Sequence, residues 1–389
     1  MFFKNIIFPI YLDYSSTTPV DPRVLEKMLP YFYYNFGNYS SKNHLFGWNS
    51  NYFVEVSRIK VSNFLNCDSR EIIWTSNSTE SNNICIKSIS LFYKNKSKHI
   101  ISIQTEHKSI LECLNFLKFE GFDITYLNLK NNGLINFYNF SYYLKISTLL
   151  ITISYVNNEI GIIQNIFKLS NFCKIKKIFF HLDCSQAISK ILINLNLLKI
   201  DMLTISAHKI YGPKGISCFY LRRKSNIYFK PIIHGGDQEK KIRPGTLSVP
   251  QIIGFGESLS IIKSIFFYEN LKIKNFKNIF FYELLKIDSI YLNGDFKYRI
   301  PHNLNISFNF IEGESLILSI YNIAISTGSA CVSNNLESSY VLKQLNNSKI
   351  INNSLRFVFG RFNILSDIYF ILKILFYNIF KLRNLSPLL

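Results

Sequence analysis

Polar side chains stand where several apolar runs stop. The run IFFHLD ends at Asp183, and the run IDMLTIS ends at Ser206 with His208 and Lys209 close behind it. A third run, HIISIQTEH, ends at Glu106 and His107, and a fourth, LLITISYVNNE, ends in Asn157, Asn158 and Glu159. A carboxylate, an imidazole and a primary amine gathered at one edge provide proton transfer and amine–carbonyl chemistry. Far downstream, Cys331 lies in a Gly-Ser-Ala-Cys turn bounded by Ser and Asn. Its small polar neighbours set it apart from the other six cysteines, which read as inert core packing.

These residues need a scaffold that aligns strand ends. Each run is short, apolar and followed by helical periodicity, the βαβ rhythm of a parallel sheet, and open α/β sheets bind ligands at the carboxyl ends of their strands. The stretch EIIWTSNSTESNN reads as strand, sharp turn and helix start, so Ser76, Asn77, Ser78 and Thr79 place hydroxyls and free N–H groups where a phosphate is favoured. A Schiff-base lysine, a carboxylate for a pyridine nitrogen and a phosphate cradle together suit pyridoxal 5'-phosphate. Upstream, residues 1–14 read as an extended lead-in, with Thr17, Thr18 and Pro19 opening a helix that carries Val24, Leu25 and Met28. The stretch 36–48 reads as a loop at a site rim, and HGGDQEKKIRPGT (234–246) as a long Gly- and charge-rich loop. From about Ile252 the pattern is helical through Leu285. Short strands YLNGD, NISFNF and SLRFVFGRF follow, and an amphipathic helix near the C-terminus closes the chain.

Composition bounds the class. The 389 residues are enough for a large core. No run reaches the apolar length that spans a bilayer, and the N-terminus lacks a full secretory signal, so no membrane role and a cytoplasmic location are expected. The seven cysteines are scattered without a C-x-x-C pair, which argues for a reducing compartment and against a disulfide framework or an intrinsic metal site. The net charge of +19 is dispersed and comes with abundant Asn, Ile, Phe and Tyr, as an AT-rich coding sequence gives; no direct DNA binding is expected, although such a surface favours anionic partners such as tRNA.

Taken together, PIYLDYSSTTPVDPRV, VNNEIG, HKIYGPKG, YLNGD, EGESLI, GSAC and GRF recur with the order and spacing of one family. The chain resembles the pyridoxal-phosphate-dependent cysteine desulfurases of the IscS/NifS type, nearest the housekeeping IscS branch, over almost its whole length. The resemblance implies an α/β, fold-type I aminotransferase-like homodimer. It implies a mostly parallel large domain over 15–260 and a smaller α+β domain from 1–14 and 261–389 that carries the catalytic cysteine. By position, Lys209 would hold the cofactor covalently and shuttle protons, Asp183 would pair with the pyridinium nitrogen, Gln186 would reach the phenolic oxygen and His107 would stack on the ring as an acid–base group. Ser78, Thr79, Ser206 and His208 would hold the phosphate, and Thr246 would reach the phosphate of the partner subunit's cofactor. Asn158, beside the cofactor, and Arg356 would hold the substrate carboxylate. Cys331 would take sulfur from L-cysteine as a persulfide, releasing alanine, and could transiently ligate a nascent iron–sulfur cluster. An iron–sulfur scaffold protein and sulfur carriers for tRNA thiolation would be the acceptors.

Some positions depart from the family pattern. Asn77 and Ser78 stand where Gly-Ala is usual; Asn tolerates positive φ better than most residues and Ser adds a donor, so phosphate binding is expected to survive. Cys184-Ser185 replaces Ala-Thr, Ala207 replaces Gly, and RPGT replaces RSGT, so Pro244 stiffens that loop. Housekeeping members run past SPL into a tail used in scaffold docking; ending at Leu389, this chain is expected to make that contact more weakly or differently. The competing readings are a selenocysteine lyase or cysteine sulfinate desulfinase of the same fold, and a sulfur-pathway binding partner without turnover.

Overall fold

The run Thr148–Ser154 is buried along nearly its whole length, as a strand covered on both faces must be. It is one of several such strands in the computed structural model, which describes residues 9–138, 140–223, 227–326, 339–345 and 353–385. In chain order the first half comprises β1 (Ile10–Tyr11), α1 (Pro22–Met28), α2 (Pro30–Tyr33), α3 (Leu45–Leu65), β2 (Ile72–Thr75), α4 (Ser78–Tyr93), β3 (His99–Ile103), α5 (Lys108–Phe119), β4 (Asp123–Leu127), β5 (Thr148–Ser154) and α6 (Ile166–Lys176). The second comprises β6 (Phe179–Asp183), β7 (Met202–Ser206), β8 (Ser217–Leu221), α7 (Val249–Leu284), β9 (Ile290–Leu292), β10 (Asn303–Phe308), α8 (Gly313–Ser319), β11 (Ile323–Ala324), α9 (Tyr340–Lys343), β12 (Ser354–Val358) and α10 (Leu365–Leu385).

A seven-stranded sheet runs β2-β8-β7-β6-β5-β3-β4. Only β8 is antiparallel to its neighbours, so the six others point the same way and end on one edge. Successive side chains alternate between its faces. Ile151, Leu182, Leu203 and Cys218 join Val54, Trp74 and Phe255 on one side. Leu150, Met202 and Phe219 join Ile84, Ile110 and Leu114 on the other. A separate core forms around the antiparallel sheet β12-β10-β9. There Leu304, Ile306 and Phe357 pack against Ile273, Phe276 and Phe280 of α7 and Ile368, Ile371 and Leu375 of α10. Each such side chain contributes about 1.5–3 kcal/mol of burial. The 36-residue helix α7 thus serves two cores, with Ile252, Phe255 and Leu259 in the first and Ile273, Phe280 and Leu284 in the third. Among the described residues no helix is long and apolar enough to cross a membrane.

Three local expectations are corrected. The first helix opens at Pro22 rather than Pro19, because the Asp21 carboxylate caps the Arg23 N–H and Pro22 occupies the position where a missing N–H costs nothing. Of Val24, Leu25 and Met28, only Val24 and Met28 are buried. The rim loop ends at His44, whose Nδ1 accepts the Gly47 N–H and starts α3 at Leu45. The charge-rich stretch 234–246 also folds more tightly than a plain loop. Glu239, in the left-handed region at φ 45°, is buried and accepts from the Trp74 N–H and the Arg58 guanidinium.

Candidate active site

The edge where β2, β3, β5, β6 and β7 end carries the polar groups that the sequence placed there. Asp183 closes β6. Its Oδ1 accepts the Ser185 N–H at 2.8 Å and its Oδ2 accepts the Asn82 amide at 2.8 Å. The same Asn82 amide nitrogen donates to Ser109 Oγ at 3.0 Å, and Ser109 Oγ lies 2.9 Å from His107 Nδ1. The Ser109 backbone N–H also donates to that Nδ1 at 3.1 Å, so Nδ1 is the accepting nitrogen and Nε2 carries the proton of a neutral ring. Burial pushes the imidazole below its ordinary pKa and the Lys209 charge adds to this, against the attraction of Asp183. His107 and Asp183 are thereby oriented through two residues, Asn82 and Ser109, whose part the sequence reading missed.

The second missed element is the segment from Asp13 to Thr18. Lys209 leaves β7 on a short 3₁₀ turn, and its Nζ donates to the carbonyls of Ser15 and Ser16, the latter at 2.7 Å. Gln186 Nε2 donates to the same Ser15 carbonyl at 2.8 Å. The His208 carbonyl accepts the Thr18 N–H at 2.8 Å, and its ring Nδ1 lies 3.2 Å from Thr17 Oγ1. Thr18 Oγ1 accepts the N–H of Tyr211, a residue held in the left-handed region at φ 62°. Arg356, buried on β12, donates to Asp13 Oδ1 at 2.7 Å, to Ser16 Oγ at 2.8 Å and to the Asn158 carbonyl at 3.1 Å. The run SSTT was the available signal: four consecutive hydroxyl side chains able to lace distant elements together.

His107 and Asp183 thus belong to one hydrogen-bond network, through Asn82 and Ser109, and Lys209, Gln186, Arg356 and the Asn158 carbonyl to a second, around residues 13–16; the Lys209 charge acting on His107 brings the two into one neighbourhood. The start of α4, with Ser78 and Thr79, is joined to the end of β7 through hydroxyls: Thr75 Oγ1 is 2.6 Å from Ser81 Oγ, Ser81 Oγ reaches Ser217 Oγ at 3.5 Å, and Ser217 Oγ donates to the Ile205 carbonyl. Beside that carbonyl, Ser206 Oγ is buried with no protein partner. Asn77 is not left-handed; at φ −161° it is extended, and its side chain caps the Glu80 N–H. Thr246 is exposed and stands apart from this neighbourhood, although Arg243 of its loop pairs with Glu80 of α4 at 2.9 Å.

Cys331 lies outside the described residues. The described residues on either side of its segment are tied to the neighbourhood: Ser326 Oγ donates to Asp13 Oδ1 at 3.1 Å and Ser339 Oγ to Glu159 Oε1 at 2.5 Å. Burial raises the Glu159 carboxyl to about 7. The six described cysteines are free; burial pushes the thiols of Cys67 and Cys113 up to about 12, far from thiolate. Among the described residues no cluster of three His, Cys, Asp or Glu side chains stands ready to hold a metal ion.

This donor set fits pyridoxal 5'-phosphate. It offers a lysine amine, a carboxylate fixed by two donors, the open N–H groups of the first turn of α4 and a buried hydroxyl, Ser206 Oγ, whose partner the protein itself does not supply.

Comparison with known proteins agrees. The aminotransferase class-V family matches residues 10–370. The cysteine desulfurase IscS of Methylococcus capsulatus is 44% identical over 381 residues, covering 98% of this chain and 94% of that protein. The cysteine desulfurase IscS of Buchnera aphidicola subsp. Baizongia pistaciae is 47% identical over 384 residues, covering 98% and 95%. Among solved structures, the NifS-like protein from Rickettsia africae superposes with a TM-score of 0.84 at 27% identity, over 96% of this chain and 99% of that one. SspA in complex with cysteine gives 0.81 at 31% identity, over 91% and 100%. Fold, donor set and relatives converge: the chain belongs to the aminotransferase class-V family and, within it, to the pyridoxal-phosphate-dependent cysteine desulfurases of the IscS/NifS type.

Proposed function

We propose that this protein converts L-cysteine and its own Cys331 thiol into L-alanine and a Cys331 persulfide, and passes that sulfur on for iron–sulfur cluster assembly. The observation that carries the reading is the meeting of Lys209, Asp183 and Arg356 around one strand edge in a chain 44–47% identical to cysteine desulfurases. Pyridoxal 5'-phosphate, when bound, supplies the electron sink that weakens the bonds at Cα and at the cysteine sulfur. Lys209 binds the cofactor and moves the Cα proton. Asp183 holds a positive charge at the pyridine nitrogen, with Asn82 and Ser185 keeping its oxygens aimed. Gln186 would meet the phenolic oxygen, and neutral His107 would lie against the ring with Nε2 available to exchange a proton. Ser78, Thr79, Ser206 and His208 hold the phosphate. Asn158 lies beside the cofactor, and with Arg356 it receives the substrate carboxylate. Arg356 would then share its fork between that group and Asp13.

Cys331 is five residues from Ser326, about 17 Å of extended chain, a reach ample for a site whose residues already hold both flanks of the segment. The same reading includes residues 15–260 as cofactor domain, with 1–14 and 261–389 as the smaller domain. The change of core along α7 between Phe266 and Ile273 supports that division. It also includes a homodimer in which Thr246 reaches the partner subunit's phosphate. Phe36 and Phe46, packed ring on ring at 5.1 Å and both exposed, with exposed Phe32, Tyr34 and Trp48 nearby in sequence, offer apolar surface of the kind that a second protomer covers. A cytoplasmic setting agrees with free cysteines, and the acceptors are an iron–sulfur scaffold and tRNA-thiolation carriers.

The experiment is to add L-cysteine to the purified protein and follow alanine and protein-bound sulfane sulfur, with cysteine sulfinate and selenocysteine as competitors. Alanine from cysteine with one persulfide on Cys331 is expected. Turnover of sulfinate or selenocysteine alone would overturn the assignment.

A further inference from the structure

Gln186 is held at both ends. Its Nε2 donates to the Ser15 carbonyl at 2.8 Å, and its Oε1 lies 3.2 Å from the Nζ of Lys190. Lys190 follows one turn after Gln186, in a stretch wound by Ala187 and Ile188 N–H bonds to the Cys184 carbonyl, so the two side chains share a face. The backbone beneath is pinned too, because the Ser189 carbonyl accepts Asn270 Nδ2 of α7 at 3.2 Å. An amide that had turned over would set Oε1 against the Ser15 carbonyl, two acceptors facing each other. The Ser15 carbonyl therefore selects the orientation, while Lys190 stops the amide sliding away from it. Lys190 itself has no role in the chemistry assigned above. The charged and titratable groups facing it are Lys209, Glu269 and His302; Glu269 is already engaged by Arg361 at 2.7 Å, and His302 Nδ1 is buried without a partner.

We propose that Lys190 is a positioning residue for Gln186: by donating to Oε1 it clamps the amide so that Nε2 faces the Ser15–Lys209 side, where the cofactor's phenolic oxygen is met. This rests on the reading that Gln186 contacts that oxygen. Burial and the nearby Lys209 pull the Lys190 amine down to about 7, and both its charged and neutral forms still carry a proton to donate. The Lys190 charge also acts directly on Lys209, and the double variant separates that route from the one through the Gln186 amide.

The test is the pH titration of the bound cofactor's absorbance in wild type, K190M, Q186A and the double variant, with thermal midpoint and cofactor content measured alongside. Q186A is expected to move the titration midpoint by about a pH unit, and K190M by about half a unit in the same direction. The double variant is expected to move no further than Q186A, since both changes act through one amide. K190R, which keeps a donor, is expected to titrate near wild type. Should K190M fail to fold, K190L, which likewise carries no donor, is expected to show the same shift. A shift in Q186A with none in K190M overturns the role of Lys190 and leaves that of Gln186 standing. No shift in either overturns the reading of Gln186 and the inference with it. Additive shifts give Lys190 a direct electrostatic effect and overturn the clamp, and a lowered thermal midpoint in K190M with an unmoved titration makes it a structural residue only.

Discussion

Among the histidines in or behind strands of the large sheet, His99, His181 and His107 differ in what their ring nitrogens touch. His99 on β3 is clamped between Thr148 Oγ1 at 2.7 Å and Thr125 Oγ1 at 2.8 Å. His181 on β6 is clamped between Thr152 Oγ1 at 2.8 Å and Thr204 Oγ1 at 3.2 Å. In both, threonines on the two flanking strands use up both nitrogens. His107, at the carboxyl end of the sheet, engages among the described residues only Nδ1, with Ser109. Burial lowers the pKa of all three, so neutrality does not distinguish them. What distinguishes them is a satisfied ring inside the sheet and a half-satisfied ring at its edge. The first kind holds strands together; the second retains a nitrogen for chemistry.

The comparison can be broken at its catalytic end first. K209A is expected to reduce alanine formation to background while circular dichroism and thermal midpoint stay near wild type; turnover within tenfold of wild type would remove Lys209 from the chemistry. C331A is expected to abolish protein-bound persulfide while the cofactor's absorbance remains, as read by sulfane-sulfur labelling and a spectrum of the same sample. H107Q is expected to lower kcat by about 10²–10⁴ with stability little changed. At the structural end the order reverses. H181V strands the hydroxyls of Thr152 and Thr204 in the core and is expected to cost about 2–4 kcal/mol in urea unfolding, with the activity of the folded fraction kept within a few-fold.

The pH dependence sharpens the same contrast. The folded-state pKa of His181 is depressed from 6.5 to about 4, chiefly by burial. The unfolded chain therefore binds the extra proton between those values, and the stability is fully present above about 6.5 and lost as pH falls through 4. The loss is about 3 kcal/mol across that window. H181V is expected to flatten this part of the stability profile, measured as urea midpoint against pH, while H107Q leaves more of it intact.

The sheet edge was legible because it is written locally. Apolar runs of strand length stop at Asp183, Ser206 and His107, and a parallel sheet brings such stops together. The reversed direction of β8 is not legible in CFYLRR, which has the pattern of any short strand and whose direction depends on which neighbour it joins. The role of residues 13–18 was hidden for a different reason. Their partners lie 171–343 residues away in sequence, and a run of small hydroxyl residues reads equally well as a turn. Pro19 was mistaken for the helix start because two prolines stand three residues apart, and only the Asp21 cap decides between them. The Arg58–Glu239 pair could not be foreseen, since a stretch as charged as 234–246 normally stays in water. The part of the site that depends on Cys331 rests on sequence and on the two tethered flanks alone.

That makes one measurement the most direct. Wild type and C331A, each loaded with pyridoxal 5'-phosphate, are mixed with stoichiometric L-cysteine in a single turnover, and the protein is analysed by intact mass. The account predicts a gain of one sulfur atom on wild type, mapped to Cys331, with one equivalent of alanine released and no gain on C331A. Alanine release without added sulfur on wild type, or the same gain on C331A, would contradict it.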